Sequence, residues 1–133
     1  AGFVTTKAAV IIGILAGGIC YFAVALKNKM QWDDALDVWG VHGVGGMIGI
    51  IFLGIFGTVA VNANGANGLL HGDSSFFIKQ LVSIFISSVY AFGFTWIMLK
   101  LINFVTPVRL SKEEEEIGLD EILHGETAYT DAM

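Results

Sequence analysis

Three long apolar runs, separated by short polar segments, dominate the pattern of the chain. The first run, residues 8–26, contains no charged residue and lies between Lys7 and Lys27. A helix of this length extends about 28 Å, close to the hydrocarbon thickness of a bilayer. A cleaved signal peptide is the competing interpretation, but the basic residues follow this run more than they precede it. The pattern therefore predicts a first membrane-spanning helix over about residues 8–27.

The second run, residues 35–61, holds only two ionisable side chains, Asp37 and His42. Seven glycines interrupt it. In water each would cost up to ~1 kcal/mol relative to alanine, but in a bilayer the backbone must satisfy its own hydrogen bonds and small residues allow close helix contact. We therefore predict a second spanning helix over about residues 35–60. Three carboxylates at its cytoplasmic start can cap free N–H groups and oppose the positive end of the helix dipole: Asp33, Asp34 and Asp37.

The third run predicts a helix over residues 76–105. Lys79 and Lys100 flank its uncharged centre, from which their side chains can extend to the membrane surface. A loop with two Asn-Gly turn signals, residues 62–75, precedes this helix, and Pro107 follows it.

Small residues recur at four-residue spacing, which places each set on one helix face for close approach to a neighbour. We expect close packing on such faces of the first two helices, at Gly13, Gly17, Gly45 and Gly49.

Charge divides the chain into two regions. Residues 1–110 carry a net charge of +2, whereas residues 111–133 carry −7. Only 14% of all residues are charged, against about 25% in soluble domains. This composition excludes a water-soluble enzyme and a basic nucleic-acid binder, and the single cysteine excludes a disulfide scaffold. The sequence thus predicts an all-α membrane protein, with three transmembrane helices in residues 1–110 and an acidic tail in residues 111–133.

Basic residues also predict the orientation of the chain. Five of the seven lie on one side of the three predicted helices, which places the C-terminus in the cytoplasm and the N-terminus outside. The tail opens with Ser111 and Glu114 in capping-box spacing, so a short acidic helix is expected there, ending near Gly118.

His42 is the side chain most suggestive of function, because an ionisable residue at membrane depth is costly to place. Burial favours its neutral form, which offers one hydrogen-bond donor and one acceptor. A histidine that merely bonds a neighbouring helix is the simpler alternative. If it is functional, His42 lines the path of a channel or transporter, or is an axial haem ligand in a respiratory membrane anchor. The sequence shows no metal-ligand spacing, phosphate loop or nucleophile–base arrangement, so we predict no enzyme activity and no metal or cofactor site.

Residues 33–57, DDALDVWGVHGVGGMIGIIFLGIFG, resemble the ammonium transporter family, especially its Amt branch. The family stretch D-D-x-x-D-V-F-G-V-H-G-V-G-G is matched almost throughout, with Trp39 where Phe is common. The tail GLDEILHGETAY is similar to the family ending G-x-D-x-x-x-H-G-E-x-A-Y. The resemblance runs through essentially the whole chain in order.

The resemblance implies the last three helices of an eleven-helix transporter. It implies a multi-pass cell-membrane protein that forms a homotrimer with one pore per subunit and takes up ammonium, with methylammonium as an analogue. In this family ammonia passes two hydrogen-bonded pore histidines. His42 matches the second of these, and Val38 matches an aliphatic pore-lining position. The first histidine and the outer recruitment site would lie upstream.

The resemblance also implies a regulatory role for the tail, which in bacterial and archaeal members helps a PII-class signalling protein to dock. The matching tail positions are Gly118, Asp120, His124, Gly125 and Tyr129. Plant members carry a phosphorylatable threonine two residues before the tail histidine. Here that position is Ile122, so the sequence predicts that this switch is missing.

Overall fold

The computed structural model describes residues 2–126 and consists of helices joined by short loops. Helix α1 covers Thr6–Lys29. The second helix begins with a π-helical segment, Trp39–Val44, and continues as α2 over Gly45–Phe56. A 3-10 turn at Leu69–His71 precedes the long helix α3, Ser74–Val105. The short helix α4, Lys112–Ile117, and a π-helical turn at Asp120–His124 follow.

Three of these helices are long and apolar enough to cross a membrane: Thr6–Lys29, Trp39–Phe56 and Ser74–Val105. The predicted fold class is thereby confirmed. The chain divides into two compact units, Ala1–Val89 and Tyr90–Met133, with the boundary inside α3.

Capping residues determine where α1 begins and ends. At its start the Thr5 hydroxyl accepts a hydrogen bond from the Ala8 N–H at 3.3 Å. At its end Gln31 adopts a left-handed conformation with φ of 53°. The Trp32 N–H then donates to the Lys27 carbonyl and the Gln31 N–H to the Asn28 carbonyl. This pair of bonds is a Schellman motif, with glutamine at the position that glycine usually occupies.

The second helix is shorter than the predicted 35–60, because its ends have conformations that a right-handed helix excludes. Asp37 has a φ of +55°, which costs a non-glycine residue about 1–2 kcal/mol and cannot continue into a right-handed helix. At the other end Gly57 is extended, with ψ of 141°. The next residue, Thr58, donates its N–H to the Phe3 carbonyl at 3.0 Å and so ties the N-terminal segment to this end.

Two glycines bring α1 and the second helix into close contact. A Cβ atom at Gly40 would lie 2.7 Å from Cγ2 of Val24 and 3.1 Å from its backbone nitrogen. A Cβ at Gly45 would lie 3.2 Å from Sγ of Cys20. By contrast, nothing lies within 4 Å of a Cβ built at Gly13, Gly17 or Gly49. Close packing at these three positions stays a prediction about helices beyond this chain.

The loop before α3 folds over the end of α2. Gly68 lies so close that its Cβ would be 2.6 Å from the Ile55 carbonyl oxygen, and its N–H donates to Gly57 at 2.7 Å. The Asp73 carboxylate accepts from the Phe76 N–H at 2.9 Å and caps the first turn of α3. Phe77 of that turn packs against Gly54 of α2.

The tail contains the predicted capping box. The Ser111 hydroxyl accepts from the Glu114 N–H at 3.3 Å, and the Ser111 N–H donates to the Glu114 carboxylate at 2.9 Å. Gly118, with φ of +112°, ends α4 as predicted. Arg109 pairs with the Glu115 carboxylate through two nitrogens, at 2.7 and 3.1 Å. This hydrogen-bonded guanidinium holds the pKa of Glu115 below its usual value.

The close contact at Gly40 leads to a stability prediction. Replacing Gly40 with Ala should destabilise the pairing of α1 with the second helix by about 1–3 kcal/mol, because the new methyl group meets backbone as well as side-chain atoms of Val24. The measurement is titration of the chain in mild detergent with sodium dodecyl sulfate, followed by tryptophan fluorescence. Gly17→Ala is the matched control and should change the midpoint little. Equal midpoints for Gly40→Ala and wild type would contradict the packing described here.

Candidate functional site

His42 lies in the π-helical segment that opens the second helix. Such segments are rare and occur frequently at functional sites. The histidine side chain is exposed in this chain, and so is the side chain of Val38, four residues earlier. Both lie among apolar neighbours, including Trp39, Val41 and Val44.

The packing against α1 determines which way this face points. Gly40 is buried against Val24 of α1. Val38 and His42 each lie two positions from Gly40, which is roughly 200° around a helix at about 3.6 residues per turn. The two predicted pore residues therefore share the face turned away from α1, where they are open to any further helices.

Asp34 caps the start of this helix. Its carboxylate oxygens accept hydrogen bonds from the Val38 N–H at 3.0 Å and the Trp39 N–H at 2.8 Å. The bond from Trp39 is the main cause that lowers the pKa of Asp34, helped by the Val38 bond and the nearby charge of Lys27 against the opposing effect of burial. The carboxylate thus stays ionised at a lower pH than an ordinary aspartate.

Lys27 is the residue that sequence reasoning missed. It was expected to mark the membrane boundary, yet only 5% of it is exposed. Its ammonium group donates to the Asp34 carbonyl at 2.5 Å and pairs with the Asp37 carboxylate at 2.6 Å. The available signal was its distance of seven and ten residues from two of the three aspartates at the start of the next helix.

The aspartates at this junction therefore differ in their contacts. Asp34 binds backbone N–H groups, Asp37 binds Lys27, and Asp33 is exposed. Beside them the rings of Trp32 and Trp39 meet edge to face, with centroids 4.9 Å apart.

The predicted tail residues belong to the second unit. Asp120 and His124 are the first and last residues of the π-helical turn, whose end is capped by Gly125 with φ of +65°. His124 is exposed. Tyr129 lies outside the described residues, as do Thr127 and Thr130. Within residues 2–126 no three His, Cys, Asp or Glu side chains are grouped as metal ligands would be.

Comparisons with known proteins support one family. The family described as Ammonium Transporter Family matches residues 1–129. The chain is 47% identical to an ammonium transporter of Bacillus subtilis, over all of this chain and 33% of that protein. It is 40% identical to the ammonium transporter Amt1 of Archaeoglobus fulgidus, over 98% of this chain and 33% of that protein.

The fold is similar to the crystal structure of Saccharomyces cerevisiae Mep2, with a TM-score of 0.80 and 35% identity. The match covers 91% of this chain and 29% of that one. The chain thus spans about a third of the length of the curated relatives it matches. With this match over nearly all its residues and three apolar helices in the matching arrangement, the chain belongs to the ammonium transporter family.

Proposed function

We propose that the complete protein of which this chain is part conducts ammonium or ammonia across a cell membrane, with His42 and Val38 lining the pore. The observation that carries the proposal is the open, apolar face of the second helix on which both residues lie, in a chain of the ammonium transporter family. Family membership also favours transport over the haem-binding membrane anchor, the second hypothesis that the sequence allowed.

The chemistry of His42 suits this role. A bare ammonium ion in an apolar tube pays a large desolvation cost, whereas neutral ammonia pays far less if a group can exchange hydrogen bonds with it on the way. Neutral imidazole carries both a donor and an acceptor. One ring nitrogen is then available to the passing molecule and the other to a partner histidine from the rest of the protein.

We further propose that the complete protein is a homotrimer in the lipid bilayer, with the C-terminus of this chain in the cytoplasm. Its acidic tail, including Asp120 and His124, would regulate transport, and a PII-class signalling protein is the proposed partner. The exposed side chains of the π-helical turn and the like-charged run in α4 support a docking role. We propose no cofactor and no enzymatic reaction.

The pore assignment predicts the behaviour of His42 variants in the complete transporter. His42→Ala removes the hydrogen-bonding ring and admits water, so flux or selectivity should change at least tenfold. His42→Glu introduces a negative charge, which should favour passage of the cation over ammonia. Both are measured as methylammonium uptake and electrical current in proteoliposomes.

His71→Ala is the matched control, because His71 is exposed in the loop after α2 and should not affect flux. If wild type and both His42 variants share the same flux, selectivity and current, His42 is a packing residue and the pore assignment is wrong.

The orientation predicts labelling by membrane-impermeant thiol reagents in intact cells. Asn64→Cys, in the loop between the second helix and α3, should also lie on the cytoplasmic side or outside according to the number of spans that separate it from the tail. One span, α3, lies between Asn64 and Glu116. We therefore expect Asn64→Cys to react from outside and Glu116→Cys to react only after permeabilisation. The reverse pattern would overturn the orientation, and reaction of both from outside would contradict the span.

The tail proposal predicts that regulation and conduction separate. Deleting residues 118–133 from the complete transporter should abolish binding of a PII-class protein while leaving methylammonium flux within about twofold of wild type, because His42 and Val38 lie in the other unit. Pull-down and flux assays on the same preparation measure both. Unchanged PII binding would count against the proposal.

A further inference from the structure

Lys27 combines a buried charge with a junction between two helices. Its side chain is 7% exposed, and it sits in the last turn of α1, near the negative end of that helix dipole. A buried ammonium group needs partners that satisfy its hydrogen bonds. Both partners identified for it come from the start of the next helix rather than from α1.

The two partners are held in a particular backbone conformation. The Asp34 carbonyl accepts from Lys27 and also from the Asp37 N–H, at 3.3 Å. Asp37 is left-handed, and this conformation directs its carboxylate to Lys27 while its carbonyl accepts from the Val41 N–H at 2.9 Å. Lys27 therefore bridges both ends of the tight turn that precedes the π-helical segment.

The same turn determines where the pore face begins. The Asp34 carboxylate binds the N–H groups of Val38 and Trp39, so the residue whose carbonyl is fixed by Lys27 also anchors the first helical residues. His42 follows Val38 by about one turn. A displacement or rotation of this anchor would move Val38 and His42 together, because the helix connects them rigidly.

We propose that Lys27 is a positioning residue for conduction: its contacts with Asp34 and Asp37 fix the rotation of the second helix and thereby the placement of Val38 and His42 in the pore. The inference rests on the proposed function. It goes beyond that function by assigning a role to a buried cation that lies outside the pore face. Lys27 does not touch the transported molecule in this arrangement.

The test compares variants of the complete transporter in proteoliposomes. Lys27→Met keeps much of the side-chain length but removes the charge and the donors. We expect at least a tenfold loss of maximal methylammonium flux with a half-saturating concentration within twofold of wild type. We also expect a changed ratio of charge to molecules moved, because a misplaced His42 admits water or ions. A loss of packing alone would lower the amount of folded protein and leave this ratio unchanged.

Lys29→Met is the matched control. Lys29 lies two residues further along α1 and is exposed, so its variant should behave as wild type. Lys27→Arg keeps a donor and a positive charge and should recover at least a third of the flux. Asp37→Asn keeps an acceptor and removes the ion pair, so it tests the same contact if Lys27→Met fails to fold. The double variant Lys27→Met/Asp37→Asn should be no worse than Lys27→Met.

The outcomes separate this inference from the proposed function. If His42→Ala alters flux or selectivity while folded Lys27→Met and Asp37→Asn transport as wild type, the pore assignment stands and the positioning role is wrong. A flux loss that follows the amount of folded protein, with an unchanged charge-to-molecule ratio, also overturns the positioning role. If no His42 variant has an effect, the pore assignment itself fails.

Discussion

The arrangement of the first two helices depends on the near absence of side chain at one point of contact. At Gly40 the second helix approaches Val24 so closely that even a methyl group would meet backbone atoms. This contact turns one face of the second helix towards α1 and leaves the opposite face, with Val38 and His42, open. Lys27 then joins the same two helices at the next turn through polar contacts. Apolar contact and buried charge thus fix one geometry from two sides.

Much of the fold follows from features that are local in sequence. The three apolar runs are long enough to identify the spans, and the spacing of Ser111 and Glu114 identifies the cap of α4, because both depend on residues within a few positions of one another. Family resemblance in the tail and around His42 carried the function, since nothing in composition alone distinguishes a transporter from another helical membrane protein.

The features that the sequence did not reveal depend on contacts distant in sequence or on individual backbone angles. Nothing local indicates that Asp37 adopts a positive φ, so the second helix was expected to begin four residues too early. The four-residue spacing of small residues favoured Gly45 but overlooked Gly40, whose importance comes from the position of Val24 on another helix. Lys27 resembled an ordinary boundary lysine because burial is a property of the assembled junction.

The length of α3 has a consequence for the membrane surface. Its 32 residues extend about 48 Å, well beyond a hydrocarbon layer of about 30 Å. Lys79 and Lys100 are separated by about 31 Å along the axis and match that layer, so the residues after Lys100 continue the helix into the headgroup region. Phe104 and Val105 there are 91% and 82% exposed. Apolar side chains at this depth lie among lipid headgroups, and the segment leading to the tail therefore begins in contact with lipid, where the thickness and charge of the bilayer can act on it.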